Sequence, residues 1–193
     1  HLSLLQNNNS KKEPIIIIAN EFLDVFPIKQ FKYINNNWHE AVVTLSKSLQ
    51  QNNFSLALSK NSTSLNNLLP PNLTPKEGMI FEYSSIALSY FKIITNLLLH
   101  KQGAAVIIDY GYTESCYTNT IQALKSHKYV NFLTTPGETD ITHLVNFPLF
   151  LKQLEGLNLN YNITTQKQFF TNLGIEQRLE ILLKAADQKQ KSD

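Results

Sequence analysis

Three polar side chains that are able to hold a cation or move a proton fall within five residues: Asn20, Glu21 and Asp24. Two nearby carboxylates can grip a planar guanidinium group or act as acid and base. Asn and Asp after a strand can equally do no more than start a turn or cap a helix. The pattern alone therefore leaves a chemical and a purely structural interpretation open.

The run that precedes these residues predicts where they lie in the fold. Pro14 is followed by four consecutive isoleucines, Ile15 to Ile18. Such a short, wholly apolar run predicts a strand buried on both faces, as in a parallel sheet. Open α/β sheets bind their ligands outside the carboxyl ends of their strands. Asn20, Glu21 and Asp24 are thus predicted at the ligand edge of a sheet.

A second strand of the same kind is expected further along the chain. The segment between residues 79 and 110 has a strand, helix, strand pattern, which is typical of a parallel α/β unit. It predicts a strand over Met79–Tyr83, a helix from Ser84 or Ser85 to about Leu99, and a buried strand over Ala104–Ile108. Asp109 and Tyr110 follow that last strand, so we expect them to face the same cleft as Asn20 and Glu21.

An antiparallel region is predicted between these two strands, over residues 28–78. Ile28–Ile34 and Trp38–Leu45 alternate as strands, and the intervening triplet Asn35–Asn37 suits a hairpin turn because Asn tolerates left-handed backbone geometry. Phe54–Leu58 predicts a third strand. Asn61–Lys76 is predicted to be a loop because it contains three prolines.

The remainder is predicted from shorter signals. The predicted elements are a short helix over Thr120–His127, a turn over Thr134–Asp140, a helix over Phe147–Leu154, a strand over Leu157–Thr164 and a closing helix through Ile175, Leu179, Leu182 and Ala186. Residues 1–13 are predicted to form a polar lead-in, residues 14–186 part of one domain and residues 187–193 a frayed tail.

Composition excludes several function classes. A net charge of +2 is too weak to predict nucleic-acid or membrane binding, and no run is long and apolar enough to span a bilayer. The single cysteine, Cys116, excludes an intrachain disulfide and reads as an ordinary thiol. No two of the six glycines are close enough to form a dinucleotide loop or a P-loop, and the five histidines lack zinc-ligand spacing. No metal is expected.

Several motifs together resemble one known family. The stretch from Ala19 to Pro27 resembles the Ala-Asn-Glu-Phe-Phe-Asp-Ala-Leu-Pro signature of the MidA family of S-adenosylmethionine-dependent methyltransferases, which includes a protein arginine methyltransferase of complex I assembly. Further matches follow in the same order along the chain: Trp38 to Val43, Gly78 to Ser84, Gly103 to Tyr112, Asn119 to Ala123 with His127, Pro136 to Thr142, and Leu173 to Arg178.

The resemblance also shows departures. The family's Asp-Leu-Thr-Ala-His-Val-Asp-Phe reads Asp-Ile-Thr-His-Leu-Val-Asn-Phe from Asp140 to Phe147, so His143 stands one place early and Asn146 replaces an acid. The family's first half, with its Glu-x-Gly-x-Gly cofactor loop, has no counterpart. The chain therefore resembles the carboxyl-terminal half, and its first strand should lack one neighbour. It is either a fragment or one product of a split gene.

The resemblance implies a fold and a reaction. The implied fold is α/β, a partial class I (Rossmann-like) methyltransferase sheet with an inserted antiparallel hairpin region. The implied reaction is transfer of a methyl group from S-adenosylmethionine to a protein arginine, with the chain's own missing amino-terminal half as a partner. The implied location is the mitochondrial matrix in a eukaryote or the cytoplasm in a bacterium.

Roles for individual residues follow from this reading. Glu21 is expected to grip the guanidinium group, with Asp24 as a second catalytic carboxylate, and Asn20 is expected to face the cofactor. The expected substrate-binding residues are Asp109, Tyr110, His127 and Asp140. A different class of function also stays open, namely a non-enzymatic module that docks on another protein.

Overall fold

The structure, a computed structural model, describes residues 13–48, 51–65 and 67–185. The chain divides into two compact units, His1–Leu159 and Asn160–Asp193. The strands are β1 (Ile16–Asn20), β2 (Lys29–Ile34), β3 (Asn37–Ser48), β4 (Gln51–Ser62), β5 (Ile80–Tyr83), β6 (Ala104–Ile108), β7 (Gly111–Tyr112), β8 (Gln122–Lys125), β9 (Lys128–Tyr129), β10 (Asp140–Thr142) and β11 (Val145–Asn146). The helices are α1 (Ser85–Lys101), α2 (Phe147–Leu151), a 3-10 turn (Lys152–Leu154), α3 (Gln166–Asn172) and α4 (Ile175–Ala185).

Strands β1 and β6 form the predicted parallel pair. Their register runs from Ile16 opposite Ala104 to Asn20 opposite Ile108, so both strands end at the same edge. A side chain at Gly103 would place its Cβ 2.2 Å from the carbonyl oxygen of Ile15, which explains why glycine stands where β6 approaches β1. The parallel pairing, on which the sequence interpretation depends, is confirmed.

The prediction that β1 is buried on both faces is wrong for the described residues. Ile16 is 79% exposed and Ile18 is 73% exposed, whereas Ile17 and Ala19 are half-buried. The exposed side chains lie on one face of the two-stranded sheet of β1 and β6, where no described residue buries them. A parallel sheet normally covers both faces with helices and further strands. One face of β1 is therefore apolar and uncovered.

Helix α1 connects β5 to β6 as predicted. The Ser84 side chain accepts a hydrogen bond from the Ala87 backbone N–H at 3.1 Å and caps the helix. Gln102, at φ +54°, ends it in the left-handed conformation. One core of the first unit forms around the buried face of this helix and consists of Leu23, Ala87, Phe91, Val145, Phe150 and Leu154.

The antiparallel region is a four-stranded sheet in the order β4-β3-β2-β5. Asn35 and Asn36 both have positive φ, at +50° and +61°, and form the predicted turn between β2 and β3. The predicted third strand is confirmed and is longer than expected, at 12 residues. A second core lies against β2, β3 and β5 and consists of Phe31, Trp38, Leu65, Phe81 and Leu149.

Two predicted elements are wrong. Thr120–His127 is not a helix but contributes β8 and the turn to β9, with positive φ at Ser126 and His127. A run of this length does not hold an isolated helix, and pairing of β8 with β10 supplies backbone hydrogen bonds instead. Leu157–Thr164 has an alternating pattern but forms no strand, because no described strand pairs with it.

The second unit contains α3 and α4, and α4 agrees with the predicted closing helix. Thr165 caps α3 through a hydrogen bond from the Gln168 N–H at 3.2 Å. No residue of α4 is buried. Ala186, the lead-in before residue 13 and the predicted tail lie outside the described residues. In the part of the chain that is described, no helix has the length and apolar character needed to cross a membrane.

Candidate functional site

The predicted site residues after β1 and β6 lie side by side. The backbone N–H of Glu21 donates to the carbonyl oxygen of Ile108 at 2.9 Å, which continues the parallel pairing one residue beyond β1. We call Glu21, Asp24 and Asp109 the acidic rim, and residues 21–26 the rim loop. The structure thus brings together the predicted residues Asn20, Glu21, Asp24, Asp109 and Tyr110.

Asp109 fastens the start of the rim loop. Its Oδ2 accepts hydrogen bonds from the backbone N–H groups of Phe22, at 3.1 Å, and Leu23, at 2.8 Å. Its Oδ1 accepts from the N–H of Tyr110 at 2.9 Å. A carboxylate that accepts three backbone hydrogen bonds holds a turn firmly. Asp109 therefore positions the loop, and its predicted contact with substrate stays a prediction.

Glu21 is exposed and held in a strained backbone conformation. Its φ of +47° lies in the left-handed region, which costs a residue with a Cβ about 1–2 kcal/mol. Such strain persists where the surroundings impose it, and it clusters at functional sites. The Tyr110 hydroxyl donates to Glu21 Oε1 at 3.2 Å, and the Glu21 charge raises the pKa of Tyr110. The exposed carboxylate of Glu21 is thus held in a defined orientation.

Asp24 occupies a different environment from Glu21. It is 5% exposed, and its Oδ1 has no hydrogen-bond partner among the described residues. Burial raises the pKa of Asp24 above its ordinary value, and the neighbouring charges of Asp109 and Glu21 act in the same direction. Asp24 is therefore protonated more readily than an ordinary aspartate.

His143 was not among the predicted site residues, although it borders the rim loop. Its Nε2 lies 3.1 Å from the carbonyl oxygen of Phe26, and its Nδ1 lies 3.2 Å from the carbonyl oxygen of Leu144. Its charge is one of the influences that lower the pKa of Asp24, against the larger effect of burial. The signal in the sequence was the displaced histidine between β10 and β11, which the family pattern did not assign.

Glu82 is a second residue that the site prediction omitted. It is 5% exposed and accepts hydrogen bonds from Gln30 Nε2 at 2.6 Å, from the Thr120 N–H at 3.1 Å and from Thr120 Oγ1 at 2.5 Å. Thr120 Oγ1 in turn accepts from the N–H of Leu144 at 3.1 Å. This buried network joins β5, β2 and the segment beside His143.

His127 and Asp140 lie apart from these contacts. His127 is exposed in the turn between β8 and β9, and Asp140 is exposed at the start of β10, opposite Leu124. Both belong to the small three-stranded sheet β10-β8-β9. Within the described ranges, no hydrogen bond or ion pair links either of them to the acidic rim. Their predicted closure over a substrate stays a prediction.

A cavity of about 210 Å³ lies elsewhere in the first unit. Its lining is Leu68, Leu69, Pro70, Pro71, Ser115, Asn146, Pro148, Leu149, Lys152 and Glu155. None of the predicted site residues lines it.

Cys116 follows Ser115, which lines this cavity. Burial raises the pKa of the Cys116 thiol, so less of it is present as the reactive thiolate.

Across residues 13–48, 51–65 and 67–185, no three His, Cys, Asp or Glu side chains are grouped so that they would hold a metal ion.

Comparison with known proteins identifies relatives of this chain. A family described as "Putative S-adenosyl-L-methionine-dependent methyltransferase" matches residues 2–163. The chain is 30% identical over 178 residues to the protein arginine methyltransferase NDUFAF7 homolog, mitochondrial, of Caenorhabditis elegans; the match covers 91% of this chain and 41% of that protein. It is 28% identical over 179 residues to the corresponding protein of Rattus norvegicus, covering 88% of this chain and 38% of that protein. The chain thus spans about two fifths of the length of these relatives.

Solved structures show the same fold. A native crystal structure of an uncharacterized Burkholderia thailandensis protein superposes with a TM-score of 0.73 at 19% identity, over 96% of this chain and 50% of that one. A second Burkholderia thailandensis structure, of a likely methyl transferase bound to S-adenosyl-homocysteine, superposes with a TM-score of 0.58 at 18% identity, over 74% of this chain and 38% of that one. The family match covers most of the chain and agrees with this fold; the chain belongs to the S-adenosyl-L-methionine-dependent methyltransferase family that it matches.

Proposed function

We propose that the acidic rim is the acceptor-binding side of a methyltransferase whose substrate is an arginine side chain of a protein. The observation that carries this proposal is Glu21. It is an exposed carboxylate, at a φ of +47°, at the carboxyl edge of a parallel strand pair. Asp109 adds negative charge nearby, and Asp24 lies within electrostatic reach of both carboxylates. An acidic, pre-oriented rim is complementary to a cationic guanidinium group.

The chemistry asks little of the protein beyond alignment. S-adenosylmethionine supplies an electrophilic methyl group when it is bound. The carboxylate of Glu21 would grip two N–H groups of the guanidinium, holding the third nitrogen in line. Positive charge would then be localised on the gripped side, which leaves the free nitrogen more nucleophilic. Asp24, whose Oδ1 has no hydrogen-bond partner among the described residues, would accept the proton that the methylated nitrogen releases.

The described residues fit only part of a cofactor pocket. A Cβ at Gly111 would meet the Val145 carbonyl oxygen at 2.4 Å, and the space beside Gly103 is filled by Ile15. Residues of the chain itself fill the space beside these two glycines, so neither glycine leaves room for a ligand. We propose that an amino-terminal half holds most of the cofactor, and that Asn20 faces its methionine end. The uncovered face of Ile16 and Ile18 suits contact with that half.

The test replaces Glu21 with Gln in the complete enzyme. The amide keeps the size of the side chain but cannot neutralise a guanidinium. Cofactor binding, measured by calorimetry, should be retained, while dimethylarginine, measured by mass spectrometry, should disappear. Glu114→Gln is the matched control because Glu114 is also exposed and lies outside the rim. Undiminished product in Glu21→Gln would remove Glu21 from the mechanism.

The finer parts of the assignment come from the relatives. They are named protein arginine methyltransferases and are mitochondrial. We extend the proposal to a role in respiratory complex I assembly, in the mitochondrial matrix if the source is a eukaryote and in the cytoplasm if it is a bacterium. Mass spectrometry of complex I subunits with and without the enzyme would test it. The alternative of a non-enzymatic docking module is not favoured, because it gives no reason for the strain at Glu21.

A further inference from the structure

We propose that His143 is a positioning residue that fastens the far end of the rim loop and so fixes the orientation of Glu21. This inference concerns the site of the proposed function and rests on that function for its effect on catalysis. The structural part, a clamp on the rim loop, can be tested without any methyl transfer.

The rim loop is fastened at two ends by different means. At its start, Asp109 holds the N–H groups of Phe22 and Leu23 at 3.1 and 2.8 Å. At its end, His143 Nε2 lies 3.1 Å from the Phe26 carbonyl oxygen, across 117 residues of sequence. Phe26 is also packed from one side by rings, at 5.1 Å from Phe22 and 5.0 Å from Tyr90. Ring packing restrains the side chain, whereas His143 restrains the backbone.

The clamp is anchored on a part of the fold that does not depend on the rim loop. The N–H of Leu144, next to His143, donates to Thr120 Oγ1 at 3.1 Å. Thr120 is bound to the buried carboxylate of Glu82 through its N–H and its hydroxyl. The His143 backbone is therefore held by the network of β2 and β5. Because the His143 backbone is held in this way, the His143 ring can fix the position of the rim loop.

Both ring nitrogens of His143 face groups that only accept hydrogen bonds. Nε2 faces the Phe26 carbonyl and Nδ1 faces the Leu144 carbonyl. A neutral imidazole has one N–H and can satisfy one of them, while the imidazolium satisfies both. Asp24 on the rim loop interacts electrostatically with His143. The Phe26 carbonyl needs an N–H donor at Nε2, so the clamp depends on this ring nitrogen.

The first test measures hydrogen exchange in the rim loop of the intact enzyme by mass spectrometry. The amides of residues 22–26 should exchange about threefold to tenfold faster in His143→Ala than in the wild type, as expected for the loss of one hydrogen bond.

Two further variants separate the clamp from general stability. His143→Gln keeps an N–H donor, so it should retain part of the protection. His100→Ala is the matched control because His100 is exposed at the end of α1. It should behave as the wild type. Rim-loop exchange that is unchanged in His143→Ala would overturn the proposal.

The second test links the clamp to catalysis. In the complete enzyme, His143→Ala should lower kcat about tenfold while cofactor affinity stays the same, because a loosened rim loop presents Glu21 in fewer productive orientations. His143→Gln should restore part of the rate. If the exchange results hold but the wild type makes no methylarginine, the clamp stands and the proposed function fails. If methylarginine forms at an equal rate in His143→Ala, the positioning role fails alone.

Discussion

The positive φ of Glu21 is expected to lower stability, whereas its carboxylate is expected to serve function, and substitutions can distinguish the two effects. Glycine adopts a φ of +47° without strain, so Glu21→Gly should remove about 1–2 kcal/mol of strain, offset by about 0.5–1 kcal/mol of extra chain entropy. We expect Glu21→Gly to unfold at an equal or slightly higher urea concentration than Glu21→Gln, while both lose methyl transfer.

The control for that comparison is a glutamate in regular helix. Glu180→Gly lies within α4, where glycine costs about 1 kcal/mol relative to alanine. It should lower the urea midpoint. If Glu21→Gly is destabilised as much as Glu180→Gly, the left-handed conformation of Glu21 is not a source of strain.

Asp24 gives a prediction about pH and stability. Burial raises its pKa in the folded state, so the native protein holds a proton that the unfolded chain releases near the ordinary value of about 3.9. Stability from this group is complete below that value and falls as pH rises through the raised native pKa. Asp24→Asn should therefore be more stable than the wild type at pH 7, with a gap that narrows toward pH 4, measured by urea unfolding. A gap independent of pH would contradict this account.

At the scale of elements, Glu82 holds β5, β2 and the segment before β8 together. Its oxygens accept from Gln30 and Thr120. Glu82→Gln would turn an N–H group toward these donors, leaving buried groups unpaired, and should cost about 2–3 kcal/mol of unfolding free energy. Thermal unfolding monitored by circular dichroism would measure it, with the exposed Glu114→Gln as control. Equal melting temperatures would show that the network contributes no net stability.

Sequence patterns predicted those elements whose signal is long or chemically specific. Helix α1 has a serine cap and a long apolar run, and the Asn35–Asn36 turn needs positive φ, so both follow from local chemistry. The segments around Thr120–His127 and Leu157–Thr164 are short, and tertiary pairing decides their conformation. Local patterns do not contain that pairing, which explains both errors.

Part of the candidate site could likewise be predicted from the sequence, and part could not. Glu21, Asp24 and Asp109 follow apolar strands, and the sheet rule places them at one edge. His143 contacts the rim loop at Phe26, which is 117 residues away in sequence. Glu82 binds Thr120, which is 38 residues away. Side chains whose role depends on such distant contacts carry no periodic signal. Their functions emerge only when the chain is folded.

At the scale of the whole molecule, the uncovered face of β1 provides the sharpest test of the proposed amino-terminal half. Ile18 is 73% exposed in this chain, and Val43, on β3, is 55% exposed. If an amino-terminal half covers β1, Ile18→Lys in the complete protein buries an unpaired charge and should cost several kcal/mol, whereas Val43→Lys should cost about 0.5 kcal/mol or less. Calorimetric melting of both variants would compare them. Equal, small losses would mean that nothing covers β1, and the cofactor would then have to be held in some other way.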